Sequence, residues 1–274
     1  MQPLFHAMAD QVPNCLREHL EAIGIVQIGS NWSYLPGGRS NASWHVKGTA
    51  GVVVKLFNPG SSSPLFANDP DLEWACLKAL APRQMAPEPI HRGRFETTEF
   101  VCYSFANNMT DGPSPVELGH YLKRLHKLSP PAGLPHRGPP TKWITAIGKQ
   151  FGLHMPSVKV EPQTNAFLHG DPVISNFITT QFGLIGIDWQ CPAIGDPCDD
   201  IAVVLSPGMQ SIYAASPLSG KDIEQFWNGY GNDAVRARYE ATAPIYRSVF
   251  AAYFRSRGTP DDLLAAKHEE TSLE

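Results

Sequence analysis

The chain is short of charge, of long one-sign runs and of extended apolar stretches, and each shortage removes a class of function. Only 18% of its 274 residues are Asp, Glu, Lys or Arg, and the formal net charge is −4. With no lysine or arginine cluster, neither nucleic acid nor an anionic membrane surface is the expected partner. No stretch approaches the roughly 18 continuous apolar residues needed to cross a bilayer. Residues 1–10 lack a basic segment followed by an apolar one, so no secretory signal is visible. Cysteine is scattered: Cys15, Cys76, Cys102, Cys191 and Cys198 make an odd count of five and form no C-x-x-C pair. That disfavours a disulfide framework and a zinc site, and the cytoplasm is the expected compartment.

What is present is enough apolar material, 42% of the residues, for one large domain or two lobes. The first 30 residues read as an amphipathic helix, with Leu16, Leu20 and Ile23 at helical spacing. Strands are expected at 32–35, 44–47 and 52–57 around a glycine turn, then a Ser-, Pro- and Gly-rich loop over 58–68. Asp69-Pro70 reads as an N-cap followed by proline at the first helical position, opening a helix over 71–80. A further strand covers 100–105. Ser114-Pro115-Val116-Glu117 has the form of a capping box. It opens a helix with Leu118, Tyr121, Leu122, Leu125 and Leu128 on one face. Residues 129–140 are too rich in proline for anything but a loop. Later helices carry Ile223, Phe226, Trp227 and Tyr230, then Tyr246, Val249, Phe250 and Tyr253, and Thr259-Pro260-Asp261-Asp262 begins a last one. The pattern predicts a two-lobed α+β protein with a cleft, strand-rich over 1–105 and mainly helical over 106–274.

The chemistry concentrates in His169-Gly170-Asp171, Asn176 five residues later, and Ile187-Asp188-Trp189, framed by β-like segments at 166–168, 177–179 and 184–187. One carboxylate in such a unit can orient and deprotonate a hydroxyl. The other, with the Asn oxygen, can hold Mg²⁺ on a nucleotide's phosphates. Asp and Asn also populate ordinary turns, so the unit needs support from elsewhere in the chain. Lys55 closes a β-branched run and taken alone reads as a surface lysine. Glu73, however, shares a helix face with Cys76, Leu77 and Leu80, where a carboxylate needs a partner. Lys55 is the nearest candidate in topology.

Lys on the third strand, Glu on the following helix, His-Gly-Asp with Asn five on, and Ile-Asp-Trp together resemble the aminoglycoside phosphotransferase and choline kinase group, small-molecule relatives of the protein kinases. Leu35-Pro36-Gly37-Gly38-Arg39-Ser40-Asn41 is similar to the group's G-G-x-[ST]-N phosphate loop. Gly195-Asp196-Pro197-Cys198-Asp199-Asp200-Ile201-Ala202 is similar to its G-D-P-x-x-D-[LI]-A segment, and Leu122-Lys123-Arg124-Leu125-His126 to its L-x-x-L-H helix. The likeness runs from about residue 30 to 205.

The resemblance implies a protein-kinase-like fold, with a nucleotide-binding lobe over 1–105 and a catalytic and substrate-binding lobe over 106–274. It implies ATP and Mg²⁺ as ligands and transfer of the γ-phosphoryl group to a hydroxyl of a small molecule. Asp171 would be the catalytic base, and Asn176 and Asp188 the Mg²⁺ ligands. Lys55, set by Glu73, would contact the α- and β-phosphates, and the backbone of Gly37, Gly38, Ser40 and Asn41 would cover them. Ser104, Phe105 and Ala106 would be the hinge that meets the adenine. His169 and Asp200 read as structural, Asp200 tying the loop to the following helix. The protein-kinase G-x-G-x-x-G loop is absent, Gly follows His169 where protein kinases carry Arg, and no A-P-E segment appears, which argues against peptide substrates. The aromatic residues Trp189, Trp227 and Tyr230, with Asp196 and Asp199, suit a choline-, ethanolamine- or thiamine-like amino alcohol. An aminoglycoside or sugar acceptor is the alternative, and a nucleotide-binding pseudoenzyme a second one. A metal hydrolase built on Asp171 and Asp188 would leave Lys55, Glu73 and the glycine turn without a role.

Overall fold

Strand-forming segments between residues 31 and 104 pair into a five-stranded antiparallel sheet, seen in a computed structural model that describes residues 12–48, 51–110, 112–138, 141–156, 158, 160, 165–213 and 216–271. The strands are β1 (Asn31–Tyr34), β2 (Ala42–Lys47), β3 (Val52–Leu56), β4 (Pro89–Phe95) and β5 (Thr98–Ser104), in the order β1-β2-β3-β5-β4. Ser43 lies opposite Lys55 and Lys55 opposite Val101, while Trp44 meets Val54 and Val54 meets Cys102. Directly opposed residues share a face. Trp44, Val54, Phe100 and Cys102 therefore line one face and pack on Leu16 and Leu20 of helix α1 (Asn14–Ala22). Lys55 lies on the other face.

Two departures from expectation have simple causes. The N-terminal helix ends at Ala22, and Ile23, counted among its apolar face, is 44% exposed, because the chain turns at Gly24 with φ +75°. Residues 1–11 lie outside the described residues. Strand β4 was not foreseen. It begins with a proline, carries Arg92 and Arg94, and sits at the sheet edge, where such residues are tolerated and alternation is weak. Helix α2 (Pro70–Leu80) starts as the sequence predicts, with the Asp69 carboxylate accepting from the N–H groups of Asp71 at 2.8 Å and Leu72 at 3.2 Å. It buries Glu73, Cys76, Leu77 and Leu80.

The chain divides into two compact units. The first takes residues up to Asn107 together with Ile185–Cys191, and the second takes Asn108–Leu184 and the chain from Pro192 onward. Helices dominate the second: α3 (Pro115–Leu125), α4 (Lys142–Gln150), α5 (Pro197–Val204), α6 (Pro207–Tyr213), α7 (Gly220–Tyr230), α8 (Asp233–Arg257) and α9 (Pro260–Thr271). Short strands β6 (Ala166–Leu168) and β9 (Ala193–Gly195) pair antiparallel, and β7 (Phe177–Thr180) pairs with β8 (Gly183–Gly186). The Ser114–Glu117 capping box forms in full, and an unforeseen second one, Ser219 with Asp222, opens α7. Helices α3 and α7 pack backbone to backbone. A Cβ on Gly119 would lie 2.3 Å from the Phe226 carbonyl oxygen, and one on Gly229 would lie 2.2 Å from that of Val116, so only glycine fits at either position. No helix among the described residues is long and apolar enough to cross a membrane.

Candidate active site

Strand alternation puts Lys55, 3% exposed, on the sheet face away from α1, where an unpaired ammonium would be costly. Its Nζ donates to Glu73 Oε2 at 2.5 Å and also to Asp188 Oδ1. Glu73 is wholly buried, whereas the Asp188 side chain keeps 29% of its surface exposed. Asp188 adopts φ +64°, a left-handed conformation that Asp tolerates better than most residues. Its neighbours are fixed: Trp189 Nε1 donates to the Gly186 carbonyl at 2.9 Å, and Gly186 N–H to that of Met85 at 2.9 Å. Burial alone would lower the Lys55 ammonium, but the charges of Asp188 and Glu73 outweigh it and hold Lys55 protonated well above its ordinary range. The result is a fixed cation with one permanent partner and one that solvent can reach.

The His169-Gly170-Asp171 loop follows β6 and is held from behind. Asp200, on α5 and fully buried, accepts from the N–H of His169 at 2.8 Å and of Gly170 at 2.9 Å. His126 Nε2 lies 3.1 Å from the same carboxylate, and His126 Nδ1 lies 2.9 Å from the Tyr230 hydroxyl. Burial alone would raise the Asp200 carboxyl; the His126 hydrogen bond, the charges of His126 and His169, and the Gly170 N–H together hold it below the usual carboxylate range. Gly170, at φ +88°, makes the bend that turns the chain into Asp171. Asp171 is only partly buried, while Asn176 is 8% exposed and donates through Nδ2 to the Asp171 carbonyl at 2.9 Å. That bond uses the amide nitrogen and leaves Oδ1 as the atom Asn176 could offer a cation.

The remaining nucleotide-site candidates fall in the first unit. Gly37, Gly38 and Ser40 form the connection from β1 to β2, with Gly37 at φ +108°, and Asn41 at its end is buried with its side chain engaged in hydrogen bonds. In the expected hinge, Ser104 N–H donates to the Glu88 carbonyl at 2.9 Å and Phe105 N–H to that of Gly51 at 3.1 Å. Both of these N–H groups are therefore committed within the first unit. The Phe105 ring stacks on His45 of β2 with centroids 3.5 Å apart.

No protein-family profile and no curated protein matches this sequence. Solved structures do match in shape. A choline/ethanolamine kinase family protein from Mesorhizobium loti superposes with a TM-score of 0.68 at 14% identity, covering 93% of this chain and 90% of its own. Amicoumacin kinase bound to AMP-PNP, Ca²⁺ and Ami gives 0.65 at 12% identity, over 97% and 94%. The GDP complex of aminoglycoside 2'-phosphotransferase-IIIa gives 0.66 at 16% identity, over 96% and 100%. The fold is that of the choline kinase and aminoglycoside phosphotransferase structures. At these identities the likeness is one of fold, and the two-lobed α+β architecture expected from the motif order is the one found.

Within this kinase-like fold, the residues expected at an acceptor site do not form a cation-binding face. Trp189 is 0%, Tyr230 3% and Trp227 6% exposed. Trp227 and Tyr230 pack edge to face with each other in a core cluster with Phe226. Trp227 and Tyr230 recur at helical spacing and face the protein core, so their periodicity could not make them ligands. Trp189 is buried in the segment after β8, with Nε1 donating to the Gly186 carbonyl. Asp196 caps α5 by accepting from Cys198 N–H at 2.9 Å, and pairs with Arg238 at 2.9 Å. Asp199 accepts from the Tyr246 hydroxyl at 2.6 Å and has Arg137 at 3.8 Å. Both carboxylates are committed inside the protein. Sequence reasoning missed His126, whose two ring nitrogens span Asp200 and Tyr230; the L-x-x-L-H motif was the available signal. It also missed Gln190, whose signal was only its place two residues after Asp188.

Asp188 and Asn176 offer oxygen donors, the ligand type Mg²⁺ takes. No cluster of three or more His, Cys, Asp or Glu suited to a metal occurs among the described residues. Asp188 lies in the first unit and Asn176 in the second, and each supplies a single oxygen-bearing side chain of the type Mg²⁺ accepts beside water and phosphate.

Proposed function

We propose that this chain is an ATP-dependent phosphotransferase that moves the γ-phosphoryl group to a hydroxyl of a small molecule. The observation that carries the reading is Lys55, buried on the sheet of a kinase-like fold and shared between Glu73 and the part-exposed Asp188. Structural neighbours with bound AMP-PNP or GDP support a nucleoside triphosphate as the donor. In this reading Lys55 keeps Glu73 and exchanges its contact with Asp188 for the α- and β-phosphates. Asp188 and the Asn176 oxygen would hold Mg²⁺, which when bound neutralises phosphate charge. Backbone groups of Gly37 to Asn41 cover the phosphates. Asp171 orients the acceptor hydroxyl and takes its proton as the oxygen attacks phosphorus in line with the departing ADP oxygen. Catalysis then rests on positioning and charge, with no covalent enzyme intermediate.

An amino alcohol of the choline or ethanolamine kind leads as the acceptor, because a choline/ethanolamine kinase family protein is among the neighbours. The aromatic residues that first suggested a cation lie in the core and add nothing to it. An aminoglycoside or sugar is the other acceptor class. Two measurements test the reading: the thermal shift given by ATP with and without Mg²⁺, and a γ-phosphate transfer screen over amino alcohols, sugars and aminoglycosides. Mg²⁺-dependent stabilisation with transfer to at least one class is expected. Stabilisation without transfer to any would make the chain a nucleotide-binding pseudoenzyme, and neither would end the proposal.

A further inference from the structure

Four segments of the first unit meet in one cluster of side-chain amides that the phosphotransferase reading does not use. Asn41, at the end of the glycine turn, donates through Nδ2 to Gln190 Oε1 at 2.6 Å and to Asn68 Oδ1 at 2.8 Å. Its Oδ1 accepts from Asn68 Nδ2 at 2.9 Å and from the Asn58 N–H at 2.9 Å. Asn68 Nδ2 also reaches Ser61 Oγ at 2.6 Å and the Asn58 carbonyl at 2.9 Å. The main chain closes the ring, since the N–H of Asp69, the cap of α2, donates to the Gln190 carbonyl at 3.1 Å. Gln190 is 3% and Asn41 8% exposed.

Buried amides add little net stability over apolar groups of the same shape, but a satisfied network fixes one arrangement of the segments that carry it. Here those segments are the glycine turn, the 58–68 loop, the start of α2 with Glu73 on its first turn, and the chain two residues past Asp188. We infer that Asn41, Asn68 and Gln190 are positioning residues that lock the glycine turn to Asp188. The groups that would cover the phosphates and the carboxylate that would hold the ion are then set as one piece. Asn41 thereby acts through its side chain, in addition to the backbone contact the sequence suggested. This inference rests on the phosphotransferase reading for its consequence, though not for the linkage itself.

Gln190→Met keeps the volume and removes the acceptor for Asn41. In hydrogen-exchange mass spectrometry of the full chain, amides of 37–41 and of 187–190 should both exchange faster, while those of 169–171 stay as in the wild type. In Mg²⁺ titrations at fixed ATP, the half-saturating Mg²⁺ concentration should rise roughly 10- to 100-fold, as for loss of a partner behind a metal ligand. The KM for the acceptor should stay within about twofold, a split that general destabilisation does not give. Faster exchange in only one of the two segments, or an unchanged Mg²⁺ requirement, overturns the inference. Should Gln190→Met fail to fold, Asn41→Ala removes the same hydrogen bond from its other end and is read by the same criteria. If the wild-type chain is not stabilised by ATP with Mg²⁺, the phosphotransferase reading is what fails, and hydrogen exchange still decides the linkage.

Discussion

Lys55 in the first unit and Asp200 in the second are both fully buried charges, and they are satisfied by different chemistry. Lys55 is held by side chains alone, Glu73 from α2 and Asp188 from the segment after β8. Asp200 is held by two backbone N–H groups and a histidine. Side chains can change partners by rotating, whereas a backbone N–H moves only if the loop moves. In the proposed phosphotransfer the first arrangement is therefore suited to exchange a partner for phosphate, and the second is suited to keep a loop still. The part-exposed Asp188 beside a wholly buried Glu73 fits that division, since only one of the two carboxylates can reach solvent.

The widest gap should appear between activity and stability at the two candidate chemical carboxylates. Asp171→Asn removes a proton acceptor from a partly exposed loop residue and should cost about 10²–10⁴-fold in turnover. Asp188→Ala should abolish turnover as well, and should also weaken stabilisation by ATP with Mg²⁺. Urea unfolding midpoints of Asp171→Asn should match the wild type. Turnover within tenfold of wild type in either variant would contradict the roles given to these residues.

Asp200→Asn should reverse that pattern. The amide cannot satisfy two N–H groups and His126 together, so about 3–5 kcal/mol of unfolding free energy should be lost at pH 7. The pH dependence has a definite sign. Asp200 is held below its unfolded value, so its contribution is present above roughly pH 3.9 and is lost as pH falls through the lower folded value. The stability gap between wild type and Asp200→Asn should accordingly narrow below about pH 4. A gap that stays constant or widens there would mean that the carboxylate charge is not what holds the loop.

On the Lys55 side, Lys55→Met strands Glu73 and should cost about 3 kcal/mol. Adding Glu73→Leu removes the stranded charge, and the double variant should regain most of that stability while remaining inactive. Recovery of stability without activity would mark the pair as retained for chemistry, since well-packed apolar residues replace buried ion pairs at little cost. Failure of the double variant to recover would show that Asp188 depends on Lys55 for folding as well.

Much of this was legible in the sequence, and the pattern of misses is physical. Lys55 and Glu73 could be paired because a carboxylate on an apolar helix face must find a cation, and Lys55 on the preceding strand was the nearest candidate in topology. The caps at Asp69 and Ser114 were readable because their chemistry is local. Strand β4 was not, because an edge strand need not alternate. Trp227 and Tyr230 lie in the core because helical periodicity identifies a buried face without saying what covers it. His126 and Gln190 act across 74 and 149 residues of sequence, and no local pattern encodes such a partner.

The two helix caps give the smallest and most local contrast. Ser114→Ala breaks an exposed capping box on α3 and should cost about 1 kcal/mol, with no effect on nucleotide binding. Asp69→Ala removes two hydrogen bonds from the first turn of α2 and should cost about the same in stability. That turn, however, carries Glu73, the fixed partner of Lys55. Fraying it should loosen Lys55, so Asp69→Ala should also weaken stabilisation by ATP with Mg²⁺. Calorimetric titration of both variants separates the effects. Equal losses of stability with unchanged nucleotide binding in both would show that Glu73 is held by its buried contacts and not by the helix start.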